Sequence, residues 1–191
     1  MVEALIRFCA PTLSAVKSAG AFGYSYSSEK ELENQIHGLN RRLLNKGIVV
    51  LPLRALEKRA LIYAFRPAVL SFELSHEIAR GILSAYKYPQ NNLFLDILCL
   101  AERLEGNRFP HELGLFLGYP PCDVLGFILN GGARYKKAGL WKVYADEEEA
   151  ERRFALYKDI TASLLCRYLN GESLEDITVF TQNIDSGKEP W

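Results

Sequence analysis

The stretch FPHELGLFLGYPPCDVLGFI, residues 109–128, sets a His beside a Glu and a Cys beside an Asp. A zinc protease site needs a second His four positions after the first, so that one helical turn brings both imidazoles to the metal. Leu115 stands there instead, and Arg80 does so in the other His-Glu pair, SHEIAR. A zinc deaminase needs H-x-E and then P-C-x-x-C. PHE lacks the intervening residue and PPCDVL lacks the second cysteine. Cys9, Cys99, Cys122 and Cys166 are 90, 23 and 44 positions apart, which fits neither a zinc knuckle nor a redox CxxC pair. No metal site is expected, and the thiols are expected to be reduced.

Phosphate-binding patterns are missing as well. NGGARYKKAG is not a Walker loop, and no G-x-G-x-x-G follows a strand and opens a helix. Residues 111–130 have the outline of a helix-turn-helix, but Val124, Leu125, Phe127, Ile128 and Leu129 leave the second helix almost no polar edge with which to read bases. Nucleic acid is therefore not an expected partner. What remains is Cys9, Lys17, Arg66, His111 and Lys142, each near the end of an expected element. If they converge, three fixed cations and an imidazole form a cleft for a small anion. Glu112 reads first as an acid in a helix's opening turn, whereas His111 can serve as donor or base at neutral pH. His37 and His76 read as surface or helix-face residues.

The elements that must position these side chains are partly legible. SSEKELENQIHGLNRRLLNKG is a helix opened by a Ser28/Glu31 capping box and stopped at Gly47. IVVLPL and ALIYAF, joined by RALEKR, read as a hairpin or neighbouring strands, with Pro52 placing the first at an edge or bulge. Arg66-Pro67 opens a helical region to about Tyr86, with Ser75 as a possible restart. NNLFLDILCLAERLEG is a further helix, and Pro110 and Pro121 read as first residues of two short ones. GLWKVY reads as a strand with Trp141 and Val143 on one face. DEEEAERRFALYKDITASLLCRYLNG is the strongest helix, with a stripe of Ala150, Phe154, Tyr157, Leu164 and Tyr168. PTLSAVK and AGAFGYSY are too rich in glycine and serine for good helices and are assigned as strand and loop.

Strands and helices do not alternate regularly, which favours an α+β fold: one domain over residues 1–180 with a small, mainly antiparallel sheet and about six helices. Residues 181–191 are expected to be a loosely ordered tail. Equal numbers of basic and acidic residues, 23 each, give no field to hold a polyanion or a membrane surface. The opening 21 residues carry Glu3 where a signal peptide is positive, and Arg7, Pro11 and Lys17 interrupt its apolar stretch. No apolar run approaches the roughly 20 residues of a membrane span. The expectation is a soluble cytoplasmic protein.

Four blocks, CAPTLSAVKSAGAF, KRALIYAFRP, FPHELGLFLGYPPCDVLGFI and GLWKVYADEEEAERRFALYKD, in this order and spacing, resemble the bacterial domain-of-unknown-function family 3793 (DUF3793) along nearly the whole chain. The resemblance implies shared positions at Cys9, Pro11, Lys17, Tyr63, Arg66, His111, Glu112, Gly118, Asp123, Trp141, Lys142 and Tyr144. It also implies an origin in anaerobic bacteria and a neighbourhood of flavodoxin-like genes. Phe8, Lys137 and Ile160 stand where many relatives have His, Cys and Cys, so a metal or disulfide role built on those thiols does not transfer.

Three readings result. The first is a binder of a small anionic metabolite or cofactor, with Lys17, Arg66, Lys142, Tyr63 and Glu112 as ligand-binding residues. The second is an enzyme whose Cys9 thiolate is the nucleophile, activated by His111 or Lys17. The third is a non-catalytic partner or regulator of a redox protein, presenting tyrosines such as Tyr24, Tyr26 and Tyr119. No cofactor is specified by any of them.

Overall fold

The computed structural model describes residues 1–106 and 109–180. Its centre is a three-stranded antiparallel sheet of β1 (Ala19–Ser25), β2 (Val49–Leu56) and β3 (Arg59–Phe65), in the order β1-β3-β2. β2 and β3 are the expected hairpin. They run through the charged link to a turn at Glu57 and Lys58, both with positive φ, the conformation that matches the twist of paired strands. Pro52 lies on the edge strand, and the register shifts between Pro52 and Arg54, where the missing N–H interrupts the ladder.

Both faces of the sheet are covered. On one side Phe22, Val50, Ala60, Ile62 and Ala64 meet the buried stripes of α1 (Val2–Leu13), α2 (Glu29–Leu43), α8 (Glu147–Leu169) and α9 (Leu174–Ile177). On the other, Ala19, Leu53, Tyr63 and Phe65 pack on α3 (Pro67–Leu74), α4 (Glu77–Ala85), α5 (Leu93–Leu104), α6 (Leu113–Phe116) and α7 (Pro121–Leu129). A short hairpin, β4 (Lys137–Ala138) with β5 (Lys142–Val143), docks Trp141 and Val143 on Ala150 and Tyr157 of α8.

The fold is α+β, with nine helices among the described residues rather than about six. The N-terminus differs most from expectation. PTL closes helix α1, with Pro11 inside its last turn, and AGAFGYS is strand β1 rather than loop. Glycine is required there: a Cβ on Gly20 would come 2.9 Å from Cys9 Sγ, so only a bare backbone lets α1 lie this close to β1. The second helix of the 67–86 region starts from His76, whose Nδ1 accepts from the Ile78 N–H, and not from Ser75. Pro121 opens α7 as expected, while Pro110 precedes α6 by a turn. GLWKVY keeps Trp141 and Val143 buried but pairs over only two residues. The expected tail, 181–191, lies outside the described residues. No helix among the described residues is long and apolar enough to cross a membrane.

Candidate functional site

Lys17 follows the end of α1, in the link to β1, and lines a groove of about 730 Å³. The groove runs between α1 (Phe8, Pro11), β1 (Gly20, Ala21), the β4–β5 turn (Gly139, Leu140) and α8 (Phe154, Tyr157, Lys158, Thr161). Its size suits a small organic ligand. Lys17 Nζ lies 4.9 Å from the centre of the Tyr119 ring and 5.9 Å from that of Tyr157. These rings stabilise a cation through their faces. No carboxylate among the described residues closes on Nζ as an ion pair: burial brings the amine down to about 8, and Cys9 and Glu73 act on it only through their charge.

Under Lys17 lies a buried polar cluster. Glu73, from the end of α3, is almost fully enclosed, and its Oε2 has no hydrogen-bond partner. Burial raises its carboxyl to about 7, against the smaller opposing effects of Ser18, Lys17 and Arg153. Ser18 Oγ is also buried, and its approach to Glu73 falls short of a regular hydrogen bond. Gly118 closes the cluster with φ of +68°, a left-handed conformation that disfavours side chains. A Cβ there would meet Ser18 Oγ at 2.4 Å and Glu73 Oε2 at 3.3 Å.

The seven site residues named from sequence separate into three groups. Cys9 and Lys17 stay together, but the Cys9 thiol is fully enclosed and burial pushes it up to about 12, with Lys17 opposing only in part. It is a protonated core thiol at neutral pH. His111 and Lys142 share a different hollow, an aromatic cavity of about 470 Å³ that also includes Phe127 and Trp141. The exposed His111 ring lies 5.1 Å from that of Phe127, and Lys142 Nζ donates to the Gly132 carbonyl at 2.6 Å.

Arg66, Tyr63 and Glu112 belong to the frame. Arg66 is buried and donates to four backbone carbonyls: Thr12 at 2.7 Å, Lys46 at 2.9 Å, Leu13 at 3.0 Å and Val179 at 2.7 Å. Burial brings its guanidinium down to about 10, which leaves it charged at neutral pH. The expected anion-binding arginine thus ties the end of α1 to two distant segments. Tyr63 Oη donates to the Phe116 carbonyl at 2.5 Å, and Glu112 accepts from Tyr88 Oη at 3.0 Å and Arg103 Nε at 2.5 Å. Reading the sequence missed Glu73, Ser18 and Tyr157 as neighbours of Lys17.

A wall of two stacked rings, Tyr119 and Trp141 with centres 5.2 Å apart, stands where groove and cavity meet. Asp123 fixes it by accepting from Trp141 Nε1 at 2.7 Å and from the N–H groups of Tyr144 and Ala145 at 2.7 and 2.8 Å. Among the described residues no group of three His, Cys, Asp or Glu side chains is placed to hold a metal ion.

The sequence matches the family described as protein of unknown function (DUF3793) over residues 5–178. The chain belongs to this DUF3793 family. The match takes in both hollows and all seven site residues named from sequence, so the groove, its lysine and the ring wall all lie inside the DUF3793 domain. No curated protein and no solved structure matches the chain.

Proposed function

We propose that this DUF3793 protein binds a small molecule with an apolar body and one acidic group, seated in the groove with Lys17 at its floor. The observation that carries this reading is the state of Lys17: a half-buried amine between two tyrosine rings, with no hydrogen bond or ion pair to a described residue. A cation so placed loses hydration without gaining a protein counter-charge, and an incoming anion supplies what is missing. Lys158, exposed on the same groove, adds positive charge at the rim, and Phe8, Leu117, Leu140 and Phe154 supply apolar wall.

Cys9 has no part in this reading because its thiol is enclosed. The four free cysteines support placing the protein in a reducing, cytoplasmic setting. The test is calorimetric titration with 2-naphthoate, which combines a flat apolar body with one carboxylate. Lys17→Met is expected to weaken binding at least tenfold. Equal affinity for the variant and the unaltered chain would overturn the proposal.

A further inference from the structure

We infer that a third hollow, between α3, α4 and the start of α5, binds a free α-amino acid with an aliphatic side chain, its carboxylate on Arg80 and its ammonium on Asp96. This pocket holds about 350 Å³ and shares no lining residue with the groove or the aromatic cavity, so the inference is independent of Lys17. The volume suits a small ligand. Leu74, Leu83 and Leu93 supply its apolar wall.

Opposite charges line this pocket without meeting. Asp96, in the first turn of α5, is only 5% exposed. Its Oδ1 accepts from the Gln90 N–H at 2.8 Å, whereas no described residue donates to Oδ2, which is not sealed inside the protein. Arg80, on α4, lines the same space, and its guanidinium makes no hydrogen bond or ion pair with a described residue. The two charged groups therefore stand further apart than the 4.0 Å of an ion pair. The end of α5 is not itself the anion site, because Asn92 already accepts from the Phe94 and Leu95 N–H groups.

A carboxylate withdrawn from water calls for a cation or further donors. Burial raises the Asp96 carboxyl, and only the Gln90 N–H opposes it. A simple amine would satisfy Asp96 but be repelled by Arg80, and a simple acid would meet the reverse arrangement. A zwitterion answers both charges and adds none to the site. An α-amino acid carries its two charges on one carbon, which fits a pocket this small. Ser71, whose hydroxyl has no hydrogen bond to a described residue, supplies a further donor, and the three leucines favour an aliphatic side chain.

The test is calorimetric titration of the unaltered chain with L-leucine, and with 3-methylbutylamine and 4-methylpentanoate, which keep the same aliphatic body and one charge each. L-leucine is expected to bind with a Kd below about 1 mM, and each singly charged analogue at least tenfold more weakly. Arg80→Gln and Asp96→Asn are each expected to weaken L-leucine at least tenfold. The first alters an exposed side chain, and the second keeps an acceptor for the Gln90 N–H. Affinity for 2-naphthoate should be the same in both variants. Absence of L-leucine binding, an analogue that binds as well as the amino acid, or unchanged affinity in Arg80→Gln would overturn the zwitterion site. A fall in 2-naphthoate affinity in Arg80→Gln would overturn its separation from the groove. The ligand series uses the unaltered chain, so no variant's folding decides the outcome.

Discussion

The Lys17 amine and the Glu73 carboxyl act on each other's ionisation yet do not close to the 4.0 Å of an ion pair. Separation without pairing leaves both groups paying for burial, so stability should depend on pH in two opposite ways. Glu73 is raised in the folded state, so between its ordinary value of 4.5 and about 7 the folded chain holds a proton the unfolded chain has lost, and stability falls as pH rises. Lys17 is lowered, so between about 8 and 10.5 the unfolded chain holds the extra proton and stability rises. Urea denaturation across this range is expected to show a minimum between pH 7 and 8. Glu73→Gln should remove the acid-side fall, worth about 3 kcal/mol.

Arg66 should behave as a strut. Arg66→Met removes the guanidinium donor from four carbonyls, of which only those of Thr12 and Leu13 keep a backbone donor among the described residues, from the Ala15 and Val179 N–H groups, and is expected to cost about 4 kcal/mol in denaturant titration. Arg66→Lys should recover only part of that loss, because an ammonium cannot reach in several directions as the guanidinium fork does. A loss under about 1 kcal/mol would contradict the role.

Gly118→Ala combines an unfavourable left-handed backbone with a Cβ pressed on Ser18 Oγ. The expected destabilisation exceeds about 2 kcal/mol. Naphthoate affinity should fall with it, because Lys17 Cγ lies 3.5 Å from the same point.

Asp123→Asn leaves the shape of the site but puts an amide donor where three donors now converge. The cost should be about 2 kcal/mol. In a Trp191→Phe background, which leaves Trp141 as the chain's one tryptophan, its fluorescence is expected to shift as the indole N–H loses its acceptor.

His111→Ala should change neither naphthoate affinity in the groove nor stability by more than about 0.5 kcal/mol, since the imidazole is exposed on the other hollow. A large drop in affinity would move the binding site across the ring wall.

Much of this fold was legible from local chemistry. Ser28 does accept from the Glu31 N–H, Asn92 and Asp146 cap α5 and α8, and Pro52 marks the edge strand. The first 25 residues misled for a physical reason. Pro11 discourages a helix, yet at the end of α1 the chain turns onto Arg66, which supplies donors to the Thr12 and Leu13 carbonyls. Glycine in AGAFGYSY argued only against a helix, and Gly20 is what permits the close contact of β1 with Cys9. At the site, Lys17 was visible as a lone cation, but Glu73 was not. In FELS it looks like an ordinary helix acid, and its neighbours come from positions 17, 18 and 118. Arg66 and Lys142 were grouped with Lys17 by charge alone, and charge does not say whether a guanidinium faces a ligand or its own backbone.

In the stacked Tyr119–Trp141 pair, Asp123 holds the indole while the tyrosine ring faces Lys17. A partition common to two chambers cannot be shifted for one alone: a guest that pushes the tyrosine outward narrows the neighbouring chamber by the same displacement. Selectivity at Lys17 is therefore tuned as much by what fills the space around Phe127 as by the groove's own lining.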